Sequence, residues 1–224
     1  MAKETGRALL VGASRGLGAG LVSALSARGW DVTATVRDPK RGAPEGAASV
    51  ERVDIDEPAQ IEALHGRLAD ARFDLIFVVA GVSTADPTTP IHRESLSEAL
   101  RLYRTNAISP IVFAEAFADR LAPGGMVALM SSTLGSIGRN TDGGYDAYRA
   151  SKAALNMLAR SFAARHKGIG VLIMHPGWVR TDMGGPQAPL DVETSTNAMA
   201  EAIAARRGLQ GVAFVDWENK EIPW

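Results

Sequence analysis

A chain of 224 residues, 46% hydrophobic and 22% charged, is long enough to bury one substantial core and has the balance of an ordinary globular domain. Its 24 basic and 25 acidic side chains leave a net charge of −1, so no electrostatic footprint is expected for nucleic acid or an anionic membrane. Cysteine is absent, which excludes disulfides and thiolate chemistry and suits a reducing compartment.

The opening stretch MAKETGRALLVGASRG passes from a polar start into an apolar run that Gly12 interrupts. That run is too short for a signal-peptide core or a membrane span, and a cytoplasmic location is expected. It predicts a first strand at 7–12, followed by a helix over 17–29, where apolar residues recur at helical spacing and Gly29 stops the turn. Strands are then expected at 31–37 and 49–54, a helix at 58–70 and a strand at 73–81. A longer helical stretch spans 96–121 with a break near Pro110. A strand at 124–132, a helix at 148–166, a strand at 169–177, a helix at 194–207 and a strand at 211–217 complete the series. Short Val, Ile and Leu runs alternating with helices are the sign of parallel βαβ units. The expected fold is therefore α/β: one Rossmann-type domain over residues 1–224, a doubly wound parallel sheet of about seven strands with helices on both faces. The connections at 81–92 and 180–195 are long and rich in Pro, Gly and Thr, which suits loops that cover a substrate.

Within this frame LLVGASRGLGAGL sets Gly12, Gly16 and Gly18 between the first strand and the first helix, with Ser14, Arg15 and Leu17 in the same turn. Glycines there let a pyrophosphate approach the backbone at a helix N-terminus, a dinucleotide-binding position. The spacing G-x-x-x-G-x-G differs from the dehydrogenase fingerprint G-x-G-x-x-G, so the turn takes its meaning from its surroundings. At the end of the second strand, TATVRDP puts Val36 where NAD-selective domains carry an acid for the ribose 2′-OH, and Arg37 beside it. Arg37, with Ser14 and Arg15, would hold a 2′-phosphate by charge-assisted bonds, favouring NADP(H) over NAD(H). A shift of one residue would instead make Asp38 the ribose ligand.

The stretch YDAYRASKAAL holds Tyr148 and Lys152 four residues apart, on one face of a helix, whereas Tyr145 has Arg149 at that offset. A phenol with a pKa of about 10 is a poor acid or base at neutral pH, and a neighbouring ammonium makes its anion cheaper. His65, His92, His166 and His175 are scattered without ligand spacing, and no metal site is expected.

A glycine-rich first turn, Asn106 in YRTNAIS, a strand ending MSS, then YRASK and HPG follow one another in an order that resembles the short-chain dehydrogenase/reductase family over nearly the whole chain. Within it, YRASKAALNM and NKEIPW are similar to the C-factor/sniffer-like carbonyl reductases. The resemblance implies Tyr148 as general acid in reduction and base in oxidation, with Lys152 lowering its pKa and bonding the nicotinamide ribose. Ser132 matches the serine that orients the substrate carbonyl, with Ser136 as the alternative, and Asn106 matches the asparagine that holds a water on the proton relay. Asp54 in RVDI matches the residue that bonds the adenine amino group. Pro176, Gly177, Val179 and Thr181 match the segment that carries the nicotinamide. Ala80 and Gly81 close a motif that the family writes Asn-Asn-Ala-Gly, but Val78 and Val79 replace the asparagines, which puts a bond bracing the sheet in question.

The implied activity is NADPH-dependent reduction of an aldehyde or ketone to an alcohol by hydride transfer. Leu134, Tyr145, Trp178 and Met183 fall beside the catalytic positions and suit a hydrophobic small-molecule carbonyl substrate. The implied assembly is a homodimer through the apolar helices after Asn106 and Tyr148, with a homotetramer as the alternative. An NADP(H)-binding signalling or regulatory module with little turnover is the second reading.

Overall fold

Each apolar run finds its neighbour in a single parallel sheet, seen in a computed structural model that describes residues 5–41 and 43–224. The strands are β1 (Arg7–Val11), β2 (Asp31–Val36), β3 (Ser49–Arg52), β4 (Phe73–Val78), β5 (Leu121–Met130), β6 (Gly170–His175) and β7 (Val212–Asp216). Their order is β3-β2-β1-β4-β5-β6-β7, and every pair is parallel. The connections wind outward from β1 in one direction and from β4 in the other. The carboxyl ends of β1 and β4 therefore flank the crevice at which ligands bind in sheets of this kind.

Helices α1 (Gly16–Ala27) and α6 (Val192–Ala205) cover one face, and α2 (Pro58–Arg67), α4 (Ser109–Ala116) and α5 (Asp146–Arg165) cover the other. A short α3 (Leu96–Tyr103) precedes α4. Burial on both faces explains why β1, β4 and β6 read as continuous apolar runs rather than alternating ones. On the α5 side Phe73, Phe113, Phe117 and Phe162 are fully buried, each contributing on the order of 2–3 kcal/mol. Val78 is buried in β4, in register with Val11 and Leu129, and Val79 packs on the opposite face. Val79 N and Ala80 N both donate to Val11 O, at 2.9 and 3.1 Å. Backbone bonds and apolar packing thus hold the end of β4 where the resembled family uses asparagines.

The expected helix at 96–121 divides differently. The break is a π turn, Arg104–Ile108, and Pro110 lies in the first turn of α4, where its missing N–H costs nothing. Thr105 Oγ1 and Ser109 Oγ each donate to the Asp56 carboxylate at 2.6 Å, and Asn106 is drawn to Val82 and Ser151. These long-range bonds pull the turn out of α geometry. The next strand starts at Leu121 rather than 124, because Leu121 pairs with Phe73 and a bulge absorbs the residues before Met126. Helix α5 starts at Asp146, behind Gly143, Gly144 and Tyr145, whose φ values of 67, 71 and 55° bar any earlier start. Among the described residues, no helix is long and apolar enough to cross a membrane.

Candidate active site

A cleft of about 640 Å³ opens at the carboxyl ends of β1, β4, β5 and β6. Its floor is the turn from β1 to α1. Gly12 has a φ of +93°, and a Cβ there would lie 2.8 Å from Ala80 N. At Gly18 a Cβ would lie 2.1 Å from Gly12 O, so the helix can close on the strand only without one. Arg15, at the N-cap of α1, gives no side-chain cap bond, and the first turn carries no acid. The free N–H groups of that turn and the dipole of α1 face the cleft as a site for an anion. Ser14, Arg15, Gly16 and Leu17 also line the cleft. This turn fits a pyrophosphate.

Where β2 ends, Val36 is buried and Arg37 lines the cleft. Asp38 is turned to its own loop, accepting from Lys40 N at 3.0 Å. Arg15 does not stand free beside Arg37. Its guanidinium is ion-paired with Asp182 across the cleft mouth, and both side chains are more than half exposed. Asp54 lines the adjoining wall, where its N–H donates to Gln60 Oε1 at 3.0 Å and its carboxylate accepts from Asp56 N at 3.1 Å.

Opposite the glycine turn, Tyr148 and Lys152 line the cleft together. Lys152 Nζ is 5.7 Å from the centre of the Tyr148 ring and donates to Met130 O at 3.0 Å. Burial lowers the Lys152 ammonium to about 8 and pushes the Tyr148 phenol up to about 12. Both shifts have one cause: a charge in this low-dielectric corner is expensive. A Cβ at Gly81 would lie 3.3 Å from Asn106 Oδ1 and 3.4 Å from Lys152 Nζ, so both polar groups approach the backbone closely at a position that has no side chain.

Asn106 itself lies behind the cleft wall, fully buried. Its Oδ1 accepts from Val82 N at 2.8 Å, and its Nδ2 donates to Val82 O at 2.9 Å and Ser151 Oγ at 3.0 Å. Ser131 lines the cleft and donates to Asn156 Oδ1 at 2.7 Å. Ser132, also buried, accepts from Leu134 N at 3.1 Å, which leaves its own O–H free to donate. Ser136 is spent elsewhere, donating to Pro223 O at 2.5 Å and accepting from Arg139 N at 3.2 Å.

From the segment after β6, Pro176 and Thr181 line the cleft, and Thr181 Oγ1 accepts from Gly184 N at 3.0 Å. Gly177, at a φ of +84°, packs against Leu190 and Trp217, while Val179 is buried and paired with Leu190. Of the four apolar candidates only Met183 lines the cleft. Leu134, Tyr145 and Trp178 stand on the flanking loops, with Trp178 Nε1 donating to Gly184 O at 2.7 Å. Asp56, Arg101, Thr105, Arg180 and Asp182 also line the cleft, though sequence reasoning passed over them. Asp56 and Thr105 sit within two residues of chosen positions and could have been taken with them. Arg101 carried no local signal.

Fold and cleft together define the Rossmann class of dinucleotide-binding proteins. Residues 12–212 match the family model described as enoyl-(acyl carrier protein) reductase. A short-chain dehydrogenase/reductase from Burkholderia multivorans with bound NADP is 39% identical, with a TM-score of 0.93 over 97% of this chain and 99% of that one. A carbonyl reductase from Pseudomonas aeruginosa PAO1 in complex with NADP is 34% identical, with a TM-score of 0.88 over 99% and 100%. C-signal of Myxococcus xanthus is 39% identical over 132 residues, 57% of this chain and 80% of that protein. The chain belongs to the short-chain dehydrogenase/reductase family of oxidoreductases.

Proposed function

We propose that the protein is an NADPH-dependent carbonyl reductase that converts a small aldehyde or ketone to its alcohol, with Tyr148 as general acid. The observation that carries this reading is the Tyr148–Lys152 pair on one wall of a cleft whose floor is a glycine turn at a helix N-terminus. NADPH, when bound, supplies the hydride. The turn with Gly12, Gly16 and Gly18 would hold its pyrophosphate, and Arg37 with Ser14 and Arg15 its 2′-phosphate. Asp54 would bond the adenine, Ala80 and Gly81 would flank the ribose, and Pro176, Gly177, Val179 and Thr181 would carry the nicotinamide. For Arg15 this role means exchanging Asp182 for phosphate.

At neutral pH a phenol pushed up to about 12 keeps its proton and is ready to give it at Oη to the substrate oxygen. The phenolate left behind is costly in the same surroundings, and Lys152 offsets that cost. Ser132, whose hydroxyl already accepts from Leu134 N, donates to the developing alkoxide and orients the carbonyl. Asn106 and Lys152 both approach Gly81, and a water held by Asn106 would return the proton. The protein acts in the cytoplasm as a homodimer through the faces bearing Ile108, Val112 and Met157, all exposed. The similarity to C-signal favours a second reading, an NADP(H)-binding signalling module with little turnover.

Oxidation of NADPH and NADH across aldehydes, α-diketones, quinones and keto esters tests the proposal, with Tyr148→Phe beside the wild type. Turnover with NADPH that disappears in Tyr148→Phe, while NADPH still binds, is the expected result. Tight NADPH binding without turnover on any carbonyl would move the assignment to the signalling module.

A further inference from the structure

The segment after β7 reaches back to the loop that Ser132 begins. The chain turns at Asn219, whose φ is +64°, and runs antiparallel along β7, with Lys220 O accepting from Asp216 N at 2.9 Å and Ile222 N donating to Phe214 O at 2.8 Å. Ile222 is buried there. The next two residues leave the sheet and meet the loop. Pro223 O accepts from Ser136 Oγ at 2.5 Å, and Trp224 O accepts from Gly138 N at 2.9 Å. The fit at Gly138 is close, since a Cβ would lie 3.2 Å from Trp224 O. The Trp224 ring is anchored on two elements: the Arg160 guanidinium of α5 stands 4.5 Å from its centre, and the Phe214 ring of β7 5.6 Å.

Ser132 starts a short 3-10 turn, Thr133–Gly135, and accepts from Gly135 N through its carbonyl at 2.9 Å. The inner end of this loop is held by α5, where Asn156 Nδ2 donates to Gly135 O at 3.2 Å and Lys152 packs against Gly135. Its outer end is held by the carbonyls of Pro223 and Trp224. The direction of the Ser132 hydroxyl is thus set between two supports, one from α5 and the other from the chain that returns along β7 at the edge of the sheet.

We propose that Pro223 and Trp224 are positioning residues: anchored by the Trp224 ring, they fix the 132–138 loop and with it the aim of Ser132 at the substrate carbonyl. This rests on the role proposed above for Ser132. A misplacement of that hydroxyl by a fraction of an ångström lowers the chemical step without touching the dinucleotide turn.

The test is a double-mutant cycle of Trp224→Ala and Ser132→Ala, measuring kcat, KM, NADPH affinity and thermal unfolding. Trp224→Ala is expected to lower kcat about 10- to 100-fold with NADPH affinity unchanged, and Trp224→Phe to restore most of it. In the Ser132→Ala background the same change is expected to alter kcat less than about threefold. Ser136→Ala removes the bond to Pro223 from the loop side and is expected to lower kcat in the same direction, which covers the case in which Trp224→Ala does not fold. Wild-type kcat in Trp224→Ala, or an equal loss in both backgrounds, would overturn the inference. Wild-type kcat in Ser132→Ala would overturn the role given to Ser132, and the inference with it.

Discussion

Lys152 is a charged group placed where charge is expensive, and replacing it should separate stability from function. Its ammonium falls from an ordinary 10.5 to about 8 through burial. At about 1.4 kcal/mol for each tenfold change in proton affinity, the buried charge costs the fold on the order of 3 kcal/mol. Lys152→Met keeps the length of the side chain, removes that cost, and gives up the bond to Met130 O, about 1 kcal/mol. The variant should therefore be more stable than wild type by roughly 2 kcal/mol at pH 7, and inactive. The pH dependence has a definite sign. Below about pH 8 the lysine is charged in the folded and unfolded chain alike, and the full cost is present. Between about 8 and 10.5 only the unfolded chain keeps the proton, so wild type gains stability as pH rises. By pH 9.5 that gain is roughly 2 kcal/mol, and the two proteins should be nearly equal. Urea unfolding followed by circular dichroism at pH 7 and 9.5 measures both gaps. A variant less stable than wild type at pH 7, or a gap that does not change with pH, would refute the reasoning.

Two other changes probe the cofactor end of the cleft. Arg37→Ala should weaken NADPH binding by about 1–3 kcal/mol and leave NADH nearly unaffected, as loss of charged hydrogen bonds to one phosphate requires; equal losses for both dinucleotides would rule the contact out. Gly18→Ala drives a methyl to 2.1 Å from Gly12 O, where only backbone can give way. It should cost about 1–3 kcal/mol of stability and at least about tenfold in NADPH affinity, read by thermal unfolding and fluorescence titration. Unchanged values would mean that the turn has slack the contact distances deny.

The fold was legible because its strands are buried on both faces, so that runs such as ALLV and LIFV announce themselves without help from alternation. The start of β5 was not, since LAPGG carries a proline and two glycines and becomes strand only by pairing with Phe73. The π turn was hidden for a similar reason: the Asp56 carboxylate that holds it lies some 50 residues away in sequence. In the cleft, the glycine turn and the Tyr148–Lys152 spacing are local patterns and could be read directly. Asp182 lies between two chosen positions, Thr181 and Met183, but its pairing with Arg15 spans 167 residues and arises only through the fold. Ser136 and Ser132 look alike in LMSSTLGS; the difference between them, a bond to Pro223 against one to Leu134, is tertiary.

The return of the chain along β7 also decides how copies of this protein can meet. An unpaired strand at the margin of a sheet invites another chain to add to it. Here Phe214 O and Asp216 N, on that margin, are already taken by Ile222 and Lys220. At the opposite margin β3 has only four residues, Glu51 is paired with Arg67, and the Arg67 guanidinium covers Arg52 O at 3.0 Å. With both margins blunted, sheet-to-sheet extension and the fibrous growth it seeds are disfavoured, which leaves the helical faces as the surfaces through which the proposed homodimer would form.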